Sequence, residues 1–161
     1  MKTRKNNNLV IILNILVSVL FLLPAFKLNL LNENYSTLSL STRGYLYVLF
    51  LGVSIGLLLF YETKNIYMLI ALIIGTIIPH HVPYNLQGNL HMLFAYIGFA
   101  VLVTATIINC RIKKYRDIYL LFIFVGIILY LKFGMVNTIS EIVVMIGTLF
   151  INLLLVLKKK V

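Results

Sequence analysis

At 161 residues, with 61% hydrophobic and only 11% charged side chains, the chain has too few charges to cover a water-facing surface, for which about 25% is usual. A mean hydropathy of +1.03 excludes a disordered chain, and a single cysteine, Cys110, excludes an intrachain disulfide scaffold. Composition therefore predicts an integral membrane protein rather than a soluble enzyme. The net charge of +10 would suggest nucleic acid in a soluble chain. Here the basic residues flank apolar runs, so membrane lipids with anionic headgroups are the expected partners and nucleic acid is not.

In chain order, apolar runs occupy residues 8–26, 44–61, 66–79, 90–110, 118–133 and 139–157. A helix crossing about 30 Å of hydrocarbon needs roughly 20 residues, which most of these approach; 66–79 is the shortest. None alternates apolar and polar residues as a barrel strand does. The expected fold is all-α, a single polytopic domain over 1–161 with six transmembrane helices. The first run follows Lys2, Arg4 and Lys5 and has a poor cleavage signal in Pro24-Ala25-Phe26-Lys27, so it reads as an uncleaved span.

Six spans bring both termini to one side. That side carries eleven basic residues, against three (Lys27, Arg43 and Lys132) on the other. The positive-inside rule then places both termini in the cytoplasm of a cell whose plasma membrane holds the protein. Arg111, Lys113, Lys114 and Arg116 form the densest topology signal. Ile-, Asn- and Lys-rich usage points to an AT-rich bacterial genome.

Small residues predict helix packing. Gly52 and Gly56 form G-x-x-x-G in the second span, and Ala95, Gly98 and Ala105 share a region of the fourth. Such residues allow close backbone approach in lipid, either within one chain or along a homo-oligomer seam; a partner membrane protein is a further possible neighbour. Tyr45, Tyr61, Tyr67, Tyr84 and Tyr119 near span ends are expected in the interfacial belt. Ile74-Gly75-Thr76 and Ile146-Gly147-Thr148 recur 72 residues apart, as an inverted repeat of three plus three helices would require.

Counting helical rise from the cytoplasmic boundary places His80 and His81 about 22–24 Å up, Glu141 about 24 Å, Lys132 about 21 Å and Arg43 about 27 Å. His91 falls near the outer boundary. Charges at such depth usually face the bundle interior and find partners; Glu141 is expected to meet Arg43, Lys132 or a histidine, either as a static ion pair or as a ligand contact. Lys132 can also snorkel outward. Pro79 and Pro83 stop the third span, and Asn85, Gln87 and Asn89 can satisfy the freed backbone groups while Gly88 permits a turn. Irregular backbone at this depth needs a protein or water-lined cavity. The expected site is a polar, outward-facing cavity in which His80, His81, Tyr84, Asn89, His91, Glu141 and Arg43 contact a ligand.

His80, His81, His91 and Glu141 are of types that bind zinc, but adjacent helical residues diverge by about 100° and no H-E-x-x-H occurs, so whether metal binds is left open. Ser36, Ser39, Ser41 and Ser140 offer hydroxyls for a Ser–His pair without a supporting motif. No catalytic residue is assigned, no cofactor is expected, and Cys110 beside Arg111 reads as structural.

The outer loop after span one, the Gln87-Gly88-Asn89-Leu90-His91 lead-in to span four and Ala95 one turn later resemble the six-helix family of DRAM-type autophagy modulators and the yeast and small bacterial membrane proteins grouped with them. The first outer loop, about residues 27–43, is shorter than in many of these. The resemblance implies a six-helix topology and no particular reaction. The leading expectation is a non-catalytic protein that binds a lipid headgroup or small amphiphile in a protective, sensing or accessory role. The alternatives are a small transporter or channel built as a 3+3 helix repeat, and an outer-leaflet lipid- or lipoprotein-modifying enzyme using the histidines.

Overall fold

The computed structural model describes residues 2–38, 40–77 and 86–158. Every regular element among them is helical: α1 (Lys2–Leu22), a 3-10 turn (Leu23–Phe26), the single turn α2 (Tyr35–Leu38), α3 (Thr42–Thr63), α4 (Ile66–Ile77), α5 (Leu86–Asn109), α6 (Lys113–Phe133) and α7 (Thr138–Lys158). The six helices longer than one turn fall on the six apolar runs. Four segments are long and apolar enough to cross a membrane: Asn8–Phe26, Thr42–Tyr61, Met92–Asn109 and Thr138–Lys158. The other two helices fall short for different reasons. α4 has only 12 described residues, and α6, although 21 residues long, carries Lys113, Lys114, Arg116, Asp117 and Lys132.

Helix boundaries extend beyond the apolar runs where polar residues can stay helical. α5 starts at Leu86, so Gln87, Gly88 and Asn89, expected in a turn, lie within the helix. Their carbonyls can take part in the helix, whereas their N–H groups fall in its first turn and have no intrahelical acceptor. α6 likewise begins at Lys113, five residues before its apolar run. At its other end Gly134 takes φ 69° and donates its N–H to the Tyr130 carbonyl at 2.8 Å, a left-handed cap that glycine adopts without steric cost.

The helices form two compact units. Unit 1 comprises Met1–Glu33 with Cys110–Val161, and unit 2 comprises Asn34–Asn109. In unit 2, α4 packs against both α3 and α5. The G-x-x-x-G of α3 is spent on this packing: a Cβ on Gly52 would lie 2.6 Å from Thr76 Cγ2, and one on Gly56 2.9 Å from Leu69 Cδ1. Contact within one chain thus accounts for the motif. Ile55, Leu59 and Leu102 complete the interior.

In unit 1, α7 packs against α6 and α1. Gly126 faces Val144, Gly147 faces Phe122 with the ring carbon 2.6 Å from where a Cβ would stand, and the Tyr119 hydroxyl meets Thr148 Oγ1 at 3.1 Å. Tyr119 is fully buried, so it is a packing residue of the α6–α7 contact rather than a member of an interfacial belt. Tyr61 and Tyr67 are exposed, as a belt requires.

The outward faces are apolar. Leu131 is 72% exposed and Leu121 61%, with Phe124 and Ile128 beside them on α6. Continuous apolar faces of this kind call for a nonpolar surrounding rather than water.

Cys110 is buried, with Sγ 3.7 Å from the Ile112 carbonyl oxygen. Desolvation raises its pKa, and the Ile112 hydrogen bond and the Arg116 charge only partly oppose that. The thiolate fraction is therefore below that of an ordinary cysteine, and alkylation of the folded protein at pH 8 should be markedly slower than in denaturant. Gly52→Leu should cost about 1–3 kcal/mol through overpacking against Thr76, read as a lower unfolding midpoint in detergent. An unchanged midpoint would show that the α3–α4 approach does not depend on glycine.

Candidate functional site

The best-defined polar assembly lies in unit 1, where the chain after α1 meets the start of α7. The first N–H groups of a helix have no intrahelical acceptor, and in a nonpolar surrounding each needs a partner. The segment following the 3-10 turn supplies two. Thr138 donates both its N–H (2.6 Å) and its Oγ1–H (2.8 Å) to the Glu33 carbonyl, and Ile139 donates its N–H to the Leu30 carbonyl at 3.2 Å.

Asn137 supplies the next. Its Oδ1 accepts from the Ser140 N–H at 2.9 Å, and Ser140 Oγ in turn accepts from the Asn137 N–H at 3.1 Å. This reciprocal arrangement is a capping box with serine in the place usually held by Glu or Gln. The Glu141 N–H then makes the first intrahelical bond, to the Asn137 carbonyl at 3.1 Å. The helix start is thereby occupied by the chain's own groups.

The donor loop is itself braced. Asn29 Oδ1 accepts from Leu31 and Asn32, the Glu33 N–H bonds the Asn29 carbonyl, and Glu33 Oε2 accepts from the Asn29 N–H at 2.6 Å. One polar atom in this assembly stays unsatisfied: Asn137 is fully buried and its Nδ2 has no partner. Glu141 sits one turn in, half-buried.

Of the residues expected to contact a ligand, His80, His81 and Tyr84 lie outside the described residues. Asn89 and His91 are on the first turns of α5, with their side chains outside the described set. Arg43 is exposed in the first turn of α3, just after Ser41, whose Oγ caps the Gly44 N–H at 3.0 Å. Glu141 belongs to unit 1 and Arg43 to unit 2. Lys132 is exposed in the last turn of α6, with Nζ 5.5 Å from the Phe133 ring centroid.

Among the described residues no three His, Cys, Asp or Glu side chains come together as a metal site. Sequence reading passed over Asn137, Thr138 and Glu33 because the latch runs between backbone and side-chain groups 105 residues apart. The one local signal was Asn137-x-x-Ser140 immediately before an apolar run, a capping pattern.

No family model matches the chain, and neither a curated protein nor a solved structure is similar to it.

The latch gives a direct expectation. Asn137→Ala removes the cap and should cost about 0.5–2 kcal/mol, whereas Thr138→Val removes one of two bonds to the same carbonyl and should cost about 0.5–1.5 kcal/mol. Unfolding by titration with denaturing detergent checks both. If neither variant moves the transition, the latch does not contribute to stability.

Proposed function

We propose that the protein is a multi-pass plasma-membrane protein of six spans that binds a lipid headgroup or small amphiphile at its outer face without chemical turnover. The observation that supports this reading is Glu141, half-buried one turn into α7 beside the polar latch of unit 1, at one end of an otherwise apolar helix group.

Charge distribution supports the orientation. α6 and α7 are joined by only four residues, so the start of α6 and the end of α7 lie together at the end remote from the latch. That remote end carries exposed Arg111, Lys113, Lys114 and Lys158. Lysines at a helix N-terminus oppose the helix dipole, and Ile112 offers no side-chain cap there. Their placement in α6 is therefore costly locally and is explained by the cytoplasmic side of an anionic bilayer. The latch end of unit 1 then faces outward, with Glu141 as the ligand contact proposed there; in unit 2 the proposed contacts are Arg43, His80, His81, Tyr84, Asn89 and His91.

The alternative of a transporter built as a 3+3 repeat gains nothing from the units, although each contributes three of the six longer helices. Unit 1 is assembled from α1, α6 and α7, so the units are not the two consecutive halves that a simple tandem duplication yields.

Two measurements test the proposal. In a Cys110→Ser background, impermeant maleimide applied to intact cells should label a cysteine at Asn34 and miss one at Lys114; labelling at Lys114 would sink the six-span orientation. Native mass spectrometry of the purified protein should show retained lipid that falls at least severalfold in the His80→Ala/His81→Ala/His91→Ala variant. Equal retention would remove the histidines from the site and leave the topology standing.

A further inference from the structure

Asn14 and Asn152 are buried within α1 and α7, at 1% and 2% exposure, and they are not satisfied: Asn14 Nδ2 and both Nδ2 and Oδ1 of Asn152 have no hydrogen-bond partner. The two helices pack directly on each other. They run antiparallel, since α1 leads into the loop that latches onto the start of α7.

Their inward faces share one spacing. Down α1, Phe21, Val17, Asn14 and Val10 are buried at steps of four, three and four residues. Up α7, Met145, Leu149, Asn152 and Val156 follow the same steps, the first half-buried and the rest buried. This face of α7 is rotated about 100° from the one that Val144, Gly147 and Thr148 present to α6. Aligning the stripes sets Asn14 opposite Asn152, with Val17 and Leu149 on one side and Val10 and Val156 on the other. The latch is compatible with this register: Ile139, six residues before Met145, is bonded to Leu30, which lies beyond the 3-10 turn that ends α1.

From this placement we infer that Asn14 and Asn152 together hold one water molecule in the α1–α7 seam. The chemistry selects the ligand. The unsatisfied atoms are two amide nitrogens, which donate, and one carbonyl oxygen, which accepts. A cation would face two donors, and an anion would face the carbonyl. A water accepts from both amides and donates to Asn152 Oδ1, which gives it the three hydrogen bonds typical of buried waters. The flanking valines and leucine offer no competing polar group. Ser18 Oγ donates to the Asn14 backbone carbonyl at 2.8 Å, and the Asn14 side-chain nitrogen keeps no partner. This site is separate from the outer-face site proposed above and does not depend on it.

Two experiments decide the matter. In a Cys110→Ser background, Asn14→Cys/Asn152→Cys should form an intrachain disulfide under mild oxidation, while Asn14→Cys/Val144→Cys should not. In the unsubstituted protein, labelled with nitrogen-15 and held in lipid nanodiscs, the side-chain amide protons of Asn14 and Asn152 should both show cross-relaxation with water. No disulfide at positions 14 and 152 overturns the register. A disulfide without water cross-relaxation overturns the water, because the amides would then meet directly. The relaxation measurement needs no substitution, so failure of a cysteine variant to fold leaves the proposal falsifiable.

Discussion

The arrangement of unit 1 depends on one carbonyl oxygen. Glu33 accepts two hydrogen bonds from Thr138, and with them the segment after α1 is tied to the first turn of α7. The constraint behind this is that a helix start cannot leave its N–H groups bare in a nonpolar surrounding. Most helices meet that need locally, as α3 does with Ser41. α7 uses a local cap and a distant loop together, and the distant loop is what brings α1 alongside. The same closure fixes how far α1 can slide along α7, and so which buried residues of the two stripes stand level.

Charge and packing divide the work between the two ends of this unit. At the latch end Asn137, Thr138, Ser140 and the Glu33 carbonyl bond one another, and among the buried side-chain atoms there the Asn137 Nδ2 is left over. At the other end Arg111, Lys113, Lys114, Asp117 and Lys158 are exposed, and all but Asp117 are positive. Between them, contacts such as Gly126 with Val144 and Gly147 with Phe122 bring α6 and α7 close enough for Tyr119 to reach Thr148. The hydroxyl pair is a consequence of backbone approach: a side chain at either glycine would wedge the helices apart.

Much of the architecture was legible in the residues. Apolar runs marked the helices because burial and lipid exposure both demand nonpolar side chains, and the small Gly52 and Gly56 marked a close helix approach without saying which helix they would meet. Helix ends were read less well. The polar starts of α5 and α6 carry no apolar signal, so Gln87 to Asn89 looked like turn. Tyr119 was misjudged because sequence depth places it near a span end but says nothing about which helix covers it. The latch was invisible for a different reason: its acceptors are backbone carbonyls of Leu30 and Glu33, which any residue provides, so no side chain records their use. Asn14 and Asn152 were hidden inside hydrophobic runs, where a single asparagine barely alters the average. Only the matched spacing of the buried faces draws attention to them.

The discontinuity of unit 1 has a consequence for biosynthesis. The ribosome finishes α1 long before it reaches Thr138, the residue that will hold it, 105 positions after Glu33. At elongation rates of about 5–20 residues per second, α1 waits roughly 5–20 s for its partner. All of unit 2 is made in that interval and can pair as it emerges, because its helices are consecutive. On the proposed membrane reading, α1 spends that interval without α6 and α7, and its run of leucine, isoleucine and valine suits it to lipid, with Asn14 as the only amide in its middle. α1 is made before unit 2 and fastened after it.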